Sequence, residues 1–260
     1  MRHLQPRQNG FSLIELMVAV LIGLFLTLGL SKLFLSMYSS SQSQGTLSQY
    51  QNNQRQAIVT LTNTTQTAGY FASTPTGVGP NTVALPATTN AGDSSTFTGG
   101  AGIVGTTGTG SPQQDTLNIQ YQSSGSDNIY NCQGGVTTIT TPTPTYTTVV
   151  NSFSVNSSNQ LVCTVSIAGA APTSALVLAN NIQNMTILYG IDTTGSSSTP
   201  AATTNTYMTA AQVTTAADWL YVRSVQITLN FCTANVNNPA STACSTTTPW
   251  VQTINLMGKS

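Results

Sequence analysis

The feature that most constrains the fold is an uninterrupted apolar run near the N-terminus. Residues 13–30 read LIELMVAVLIGLFLTLGL, in which Glu15 is the one charged residue. A run of this length spans the hydrocarbon core of a bilayer when it is helical. The residues before it include Arg2 and Arg7 and no acidic residue, and basic flanks stay on the cytoplasmic side. The pattern therefore predicts one membrane span, with the large C-terminal part of the chain outside the cytoplasm.

A processing signal lies at the start of this run. Positions 10–15 read GFSLIE, directly after a short basic leader. In this setting the sequence resembles the prepilin signal of type IV pilins and type II secretion pseudopilins. The resemblance implies that a prepilin peptidase cuts after Gly10 on the cytoplasmic face. It also implies that the new N-terminal amine of Phe11 is methylated.

Glu15 is unusual for its position in the apolar run. A carboxylate inside a membrane-spanning helix costs roughly 2.5–3.5 kcal/mol on insertion scales, so its presence indicates a charged partner. Arg7 would leave with the leader, and Lys32 lies more than four helical turns further on. The resemblance implies that Glu15 neutralises the Phe11 amine of a neighbouring subunit when pilin helices pack together. The alternative is that Glu15 snorkels to the headgroups at the cytoplasmic end of the helix.

The helical pattern continues well beyond the apolar run. No proline occurs between Pro6 and Pro75, so nothing interrupts a helix there. Apolar residues recur at spacings of three, four and seven, at Leu47, Tyr50, Ala57, Ile58, Leu61, Ala68 and Phe71. We therefore expect one helix of about 62 residues, near 93 Å long, over 11–72. Its first half, 11–37, would be the transmembrane or filament-core part, and 38–72 an amphipathic part outside the membrane.

Residues 73–260 are predicted to form a β-rich head. A Gly/Thr/Ala/Asn-rich stretch at 73–112 predicts an extended loop region. Beyond it, apolar residues alternate with period two, which is typical of strands. The predicted strands are 117–121, 161–167, 185–191, 219–231 and 251–256, with weaker candidates at 136–141, 147–155 and 176–179 and a loop at 192–206. The fold class is therefore α+β and pilin-like, with one long N-terminal helix packed on an antiparallel sheet.

Short motifs in the head extend the resemblance. The chain carries Ala-Gly-Tyr-Phe at 68–71, Tyr-Gly-Ile-Asp at 189–192, and Trp219 followed by Val-Gln-Ile-Thr-Leu at 225–229. Together these motifs resemble the PilW-like minor pilins. That family usually carries an acidic-basic element before Ala-Gly-Tyr, whereas this chain has the neutral Asn-Thr-Thr-Gln-Thr at 63–67.

The resemblance implies a role in starting type IV pilus assembly. A minor pilin of this kind supports motility, adhesion or DNA uptake. It sits in the inner membrane with its head in the periplasm, and reaches the cell surface after assembly. The implied partners are the prepilin peptidase, other minor and major pilins bound through the N-terminal helix, and the inner-membrane assembly platform.

Two alternatives stay open. A type II secretion pseudopilin would share the processing signal, and would differ in its deletion phenotype, secretion rather than motility. A membrane-anchored adhesin would bind an external ligand through its head. Such an adhesin would keep Met1 or lose a longer signal, instead of starting at a methylated Phe11.

Composition excludes several other functions. Charged residues make up 5% of the 260-residue chain, against roughly 25% in an ordinary domain. Six basic and six acidic side chains cancel, and no Lys/Arg cluster suits strong electrostatic nucleic-acid binding. The single histidine, His3, lies in the leader, which removes His-based catalysis and His-ligated metals from a processed chain. We therefore expect no catalytic residues, no cofactor and no metal.

Four cysteines lie in the predicted exported part, at Cys132, Cys163, Cys232 and Cys244. An even number in an oxidising compartment predicts two disulfides, with three possible connectivities. We expect nearest neighbours to pair, Cys132 with Cys163 and Cys232 with Cys244. A zinc site is disfavoured because no C-x-x-C spacing occurs.

The aromatic residues of the head allow two interpretations. They could form an adhesive surface among neutral polar residues, or most of them could be core or cross-strand residues of the sheet. The second interpretation is the expected one. The residues concerned are Tyr130, Tyr146, Tyr189, Tyr207, Trp219 and Trp250.

Overall fold

A computed structural model describes residues 12–71, 85–90, 92–124, 127–136, 146–193, 204–233 and 246–256, apart from the side chains of Thr46, Tyr50 and Thr246. The chain divides into two compact units, Met1–Asn52 and Asn53–Ser260. The described elements are one long helix, eleven strands and one short helix. An α+β, pilin-like layout is thereby confirmed.

Helix α1 (Leu13–Gln66) has 54 residues. At its start, the Ser12 carbonyl accepts hydrogen bonds from the N–H groups of Glu15, at 3.0 Å, and Leu16, at 3.2 Å. The uninterrupted helix follows from the lack of proline and from many residues with high helix propensity. Its end at Gln66 is earlier than the expected end at residue 72.

The early end of α1 has a local cause. The N–H groups of Thr67 and Ala68 bond to carbonyls three residues back, at 3.2 and 3.1 Å, so the last turn tightens. Gly69 then adopts a left-handed conformation, with φ of 81°, which glycine tolerates best. Its N–H donates to the Gln120 carbonyl at 3.0 Å instead of continuing the helix. The chain thus leaves α1 by bonding to a strand.

The last part of α1 buries one face within the second unit. The buried residues are Ala57, Leu61, Thr64, Thr65 and, just past the helix, Ala68. Their spacing of three, four and seven is that of a helix face. The expected stripe is thus partly wrong: Leu47 is 56% exposed and Phe71 is 47% exposed. The Tyr50 side chain lies outside the described part.

The strands form three sheets in which every pairing is antiparallel. A five-stranded sheet has the order β3-β4-β5-β6-β7, a four-stranded sheet has the order β11-β10-β8-β9, and β1 pairs with β2. The strands are β1 (Thr88–Thr89), β2 (Thr96–Phe97), β3 (Ile103–Thr106), β4 (Thr116–Ser123), β5 (Thr147–Val155), β6 (Leu161–Ile167), β7 (Leu176–Ala179), β8 (Ile182–Ile191), β9 (Thr206–Met208), β10 (Val222–Thr233) and β11 (Thr246–Asn255).

Several elements differ from the expectation. The stretch 73–112, expected to be a loop region, contains β1, β2 and β3 in its described part. Helix α2 (Ala210–Ala216) was not expected, and a 3-10 turn at Trp219–Tyr221 precedes β10. In the weak candidate 136–141, Val136 forms an isolated bridge with Tyr130, and the rest of that segment lies outside the described residues.

The core consists of the apolar faces of the two larger sheets. Strand β8 contacts both β4 and β5, so the four-stranded sheet packs on the five-stranded one. Gln114, just before β4, forms a parallel bridge with Met185 of β8. The fully buried large side chains include Leu117, Ile119, Tyr121, Phe153, Met185, Tyr189 and Phe231.

Two glycines allow the end of α1 to approach the five-stranded sheet. A Cβ on Gly102 would lie 2.5 Å from the Gly69 Cα and 2.8 Å from the Ala68 carbonyl carbon. Both neighbours are main-chain atoms, which cannot swing aside as a side chain would. The contact therefore requires glycine at position 102.

Replacing Gly102 by alanine should lower the free energy of unfolding by about 2 kcal/mol, because overpacking of this kind costs about 1–3 kcal/mol. Thermal unfolding of the purified chain, followed by circular dichroism, measures the change. Gly110→Ala is the matched control, since a Cβ there would come no nearer than 3.4 Å to Pro112. Equal melting temperatures for the two variants would contradict the role assigned to Gly102.

Candidate functional site

The first part of α1 exposes an extensive apolar surface. Its most apolar eighteen residues have a mean hydropathy of 2.5, and none of them is buried within the chain. Leu13 is 79% exposed, Phe25 74% and Met37 72%. By length and composition this part of α1 could cross a membrane.

Glu15 lies in the first turn of α1 and is exposed. A carboxylate at this end of a helix interacts favourably with the helix dipole, by typically 0.3–1 kcal/mol. Gly10 and Phe11 lie outside the described residues. Cleavage after Gly10, methylation of Phe11 and pairing of Glu15 with a neighbouring amine therefore stay predictions.

Two main-chain hydrogen bonds join the segment after α1 to β4. Beside the bond from Gly69 to Gln120, the Gln122 N–H donates to the Tyr70 carbonyl at 2.9 Å. The Tyr70 hydroxyl donates to the Asp127 carboxylate. Burial, the negative charge of Asp127 and this hydrogen bond together raise the pKa of Tyr70 above its usual value of 10.0. The Ala-Gly-Tyr motif thus connects α1 to the sheet by main-chain and side-chain bonds.

A buried carboxylate links the two larger sheets. Asp115 is 2% exposed. Its Oδ1 accepts hydrogen bonds from the Gly108 N–H at 2.8 Å and from Gln113 Nε2 at 2.9 Å. Its Oδ2 accepts from the Ile187 N–H at 2.7 Å. In addition, the Asp115 N–H donates to the Met185 carbonyl at 2.9 Å. The sequence showed Asp115 as an isolated aspartate; its burial and its three donors were visible only in the structure.

The remaining head motifs come together around Tyr189. The Tyr189 ring meets the Trp219 ring edge to face, with centroids 4.9 Å apart and planes at 80°. Trp219 Nε1 donates to Thr214 Oγ1 of α2 at 3.2 Å. The Tyr189 hydroxyl is buried against Gly105, where any Cβ would collide with it. Burial, followed by the charge of Asp115, raises the pKa of Tyr189. These motif residues are therefore core residues.

The aromatic residues divide between core and surface. Tyr189 and Trp219 are buried, whereas Tyr130 is 62% exposed and Tyr207 is 44% exposed. Tyr146 and Trp250 are half-buried. Tyr207 and Trp250 are nevertheless cross-strand residues, opposite Gly190 and Leu229 respectively. The expectation that most of these rings are core or cross-strand residues therefore holds for four of the six.

The structure pairs Cys132 with Cys163, which are 31 positions apart in sequence and have their Cα atoms 6.3 Å apart. This pairing confirms the first predicted disulfide. It ties the segment that contains Cys132 to β6, and the Cys132 N–H also donates to Asn151 Oδ1 of β5 at 2.9 Å. Cys232 is disulfide-bonded as well. Its expected partner, Cys244, lies outside the described residues, so that pairing stays a prediction.

Within the described ranges, no three His, Cys, Asp or Glu side chains group as metal ligands would. Residues 100–105 read GAGIVG and fit the G-x-G-x-x-G pattern of nucleotide-binding loops, but the structure around them does not suit a nucleotide. Strand β3 begins inside this pattern, and Gly102 and Gly105 pack against Gly69 and Tyr189 respectively. A phosphate loop would instead lead into a helix.

Comparison with known proteins gives two matches. Residues 5–31 match the prokaryotic N-terminal methylation motif, and this match, with the apolar helix, supports membrane anchoring. Residues 145–254, which include β5 to β10 and most of β11, match the family described as Type IV Pilus-assembly protein W. The two matches together support a prepilin-like minor pilin of the PilW type, involved in type IV pilus assembly.

The match to this family also bears on enzymatic activity and on interaction partners. The family is structural and is not known for enzymatic activity. It implies interaction with other pilins and with the pilus machinery. No curated protein and no solved structure matches the chain.

Asp115→Ala should lower the free energy of unfolding by about 3–5 kcal/mol, because it leaves the buried Ile187 N–H and two further donors without an acceptor. Urea unfolding followed by tryptophan fluorescence measures this change. Asp218→Ala is the matched control. It removes the same charge from a half-exposed residue whose side chain makes no cap hydrogen bond, and should change stability by less than about 1 kcal/mol. Similar losses for both variants would contradict the linking role of Asp115.

Proposed function

We propose that the chain is cut after Gly10, methylated at Phe11 and assembled through α1 into a complex of minor pilins that starts a type IV pilus. The observation that carries the proposal is the exposed apolar surface at the start of α1, none of which is buried within the chain. Such a surface needs lipid or other helices to cover it. In a filament, the same surface of neighbouring subunits supplies that cover.

The proposed organisation assigns each segment a place. Residues 1–10 are the cytoplasmic leader, 11–37 the membrane and filament-core part of the helix, 38–72 its amphipathic part, and 73–260 the head. Before assembly the head would lie in the periplasm, and after assembly it would reach the cell surface. The prepilin peptidase and the inner-membrane assembly platform are the partners of these steps.

The contribution of the complex would be structural. Twitching motility, adhesion and DNA uptake are the processes that a pilus started in this way would support, and no enzymatic step is assigned to the chain. A type II secretion pseudopilin would have the same kind of N-terminal helix. The match of residues 145–254 to a pilus-assembly family favours the pilus.

Glu15 is proposed to pair with the Phe11 amine of the neighbouring subunit. Both groups would lie at the same end of packed helices, in surroundings of low polarity where a charge needs a partner. Removing one partner of such a pair leaves the other unpaired, which is strongly unfavourable. Removing the Glu15 carboxylate should therefore impair assembly and leave processing unchanged.

Glu15→Val should leave cleavage after Gly10 unchanged and reduce the amount of the chain in sheared filaments by about tenfold or more, which corresponds to about 1.4 kcal/mol or more. Immunoblots of the sheared and membrane fractions measure incorporation, and N-terminal mass spectrometry measures cleavage.

Two controls accompany this variant. Glu15→Asp keeps the charge and should retain most of the incorporation. Met17→Val keeps an exposed neighbouring position apolar and should reduce incorporation far less than Glu15→Val does. Normal incorporation of Glu15→Val would rule out the pairing and leave Glu15 as a residue that reaches the headgroups.

A further inference from the structure

A pocket of about 270 Å³, lined by both polar and apolar groups, opens on the five-stranded sheet. Its floor consists of side chains from β4, β5 and β6, and the loops that contain Asp93 and Pro172 form its rim. Ligand sites in proteins usually measure about 300–1,000 Å³. The pocket is therefore suited to a small ligand.

The floor is a row of side chains in register. Asn118 of β4 pairs with Ser152 of β5, and Ser152 pairs with Thr164 of β6. Cross-strand partners point to the same face and lie about 5 Å apart. An amide and two hydroxyls therefore stand side by side across three strands.

These three strands are interior strands of the sheet. Their main-chain groups already pair with neighbouring strands, so an extended peptide could not bind here by adding a strand. A ligand of this pocket must instead be recognised by side chains.

Asp93 is held rigidly at the rim. Its Oδ1 accepts from Asn90 Nδ2 at 2.8 Å and from the Ser95 hydroxyl and N–H at 2.7 and 3.1 Å. Its Oδ2 accepts from Asn118 Nδ2 at 2.6 Å and from Thr116 Oγ1 at 3.3 Å. The carboxylate and the Asn118 amide are thereby fixed before any ligand arrives, which lowers the entropy lost on binding.

Three hydroxyls of the pocket have hydrogen-bonding capacity left. The Ser152 hydroxyl accepts from Asn90 Nδ2 at 2.9 Å, and its own proton remains free to donate. Ser154 and Thr164 line the same pocket, and their hydroxyls bond to no side chain or main-chain group in the described part of the protein. Each hydroxyl can donate one hydrogen bond and accept others.

The charge of the lining residues indicates which chemical class of ligand the pocket can bind. Asp93 is the one charged side chain among the lining residues, so an anion would meet a carboxylate without a compensating cation. A metal ion would find a single carboxylate whose oxygens already accept five hydrogen bonds. A neutral ligand with several hydroxyl groups can bond to the free hydroxyls. It is not repelled by the Asp93 carboxylate, as an anion would be, and it does not need further carboxylates, as a metal ion would.

We propose that the pocket formed by Asp93, Asn118, Ser152, Ser154, Thr164 and Pro172 binds one residue of a neutral sugar. Hydroxyls of the sugar would bond to the row of Ser and Thr hydroxyls, and the half-buried Pro172 ring would cover an apolar face of the sugar ring. The proposal does not depend on incorporation into a filament.

Saturation-transfer NMR on the full chain tests this proposal. The chain is held in dodecylphosphocholine micelles, whose headgroup contains no sugar, and probed with methyl α-D-mannoside, methyl β-D-galactoside and N-acetyl-D-glucosamine. At least one sugar should receive saturation from the wild-type chain. Ser154→Trp, which fills the pocket, should reduce that signal at least about fivefold, since the ligand and the indole need the same space.

Two further variants control for folding. Thr164→Val keeps the strand and the approximate volume while removing one hydroxyl, and should weaken the signal several-fold. Thr248→Trp places the same indole at an exposed position on β11, and should keep the wild-type signal. Saturation transfer that survives both pocket variants would overturn the proposal.

A second arm identifies the source of the sugar. The same three sugars are presented as terminal residues of immobilised glycans. Binding to free and immobilised forms alike would assign the site to the sugar residue itself. Binding to the immobilised forms alone would assign it to a cell-surface glycan chain, and binding to the free forms alone to a soluble sugar. Failure in both arms contradicts the site.

Discussion

The structure depends on the apolar surface at the start of α1, which the chain itself leaves exposed. About 25 cal/mol is gained for each Å² of apolar surface that leaves water, so an exposed stripe as long as this one must be covered by lipid or by other helices. The same helix, without a break, buries Ala57 and Leu61 near its other end. Because one element serves both purposes, whatever holds the first part of α1 is coupled covalently to the head.

The head shows how a chain with so few charges can specify a fold. Amides, hydroxyls and single carboxylates make the polar contacts that ion pairs make in proteins with more charged residues. Asp115 joins two sheets through neutral donors. On β4, Asn118 and Gln120 are fully buried, and the Gln120 side chain bonds to Thr88 Oγ1 and the Pro86 carbonyl. Neutral groups are costly to bury only when they lack partners, and these have them. The abundance of Thr, Ser, Asn and Gln thus has a structural use inside the head as well as on its surface.

The regular strands could be predicted from the sequence because their side chains alternate. The predicted strands at 147–155, 161–167 and 176–179 agree with β5, β6 and β7. Strand β3 was missed, because it has four residues, one of them Gly105, and so shows little alternation. Its conformation comes from pairing with β4. Helix α2 was missed because it has seven residues and two threonines, although its capping box from Thr209 to Gln212 is a local signal.

The candidate site, too, could be predicted from the sequence only in part. The resemblance to prepilins followed from a contiguous motif, which needs no tertiary information. The end of α1 could not be derived, since it depends on Gly69 bonding to Gln120, a residue more than fifty positions away. The sugar pocket was equally invisible in the sequence. Asn118, Ser152 and Thr164 meet only through sheet register, and Asp93 reaches Asn118 from the loop between β1 and β2.

We propose that α1 carries the chain into a filament as a processed subunit. Mass spectrometry of purified, sheared pili tests this most directly. We expect peptides of the head in the pilus fraction, together with an N-terminal peptide that begins at a methylated Phe11. Absence of the chain from pili, or a chain that retains Met1, would contradict this role of α1.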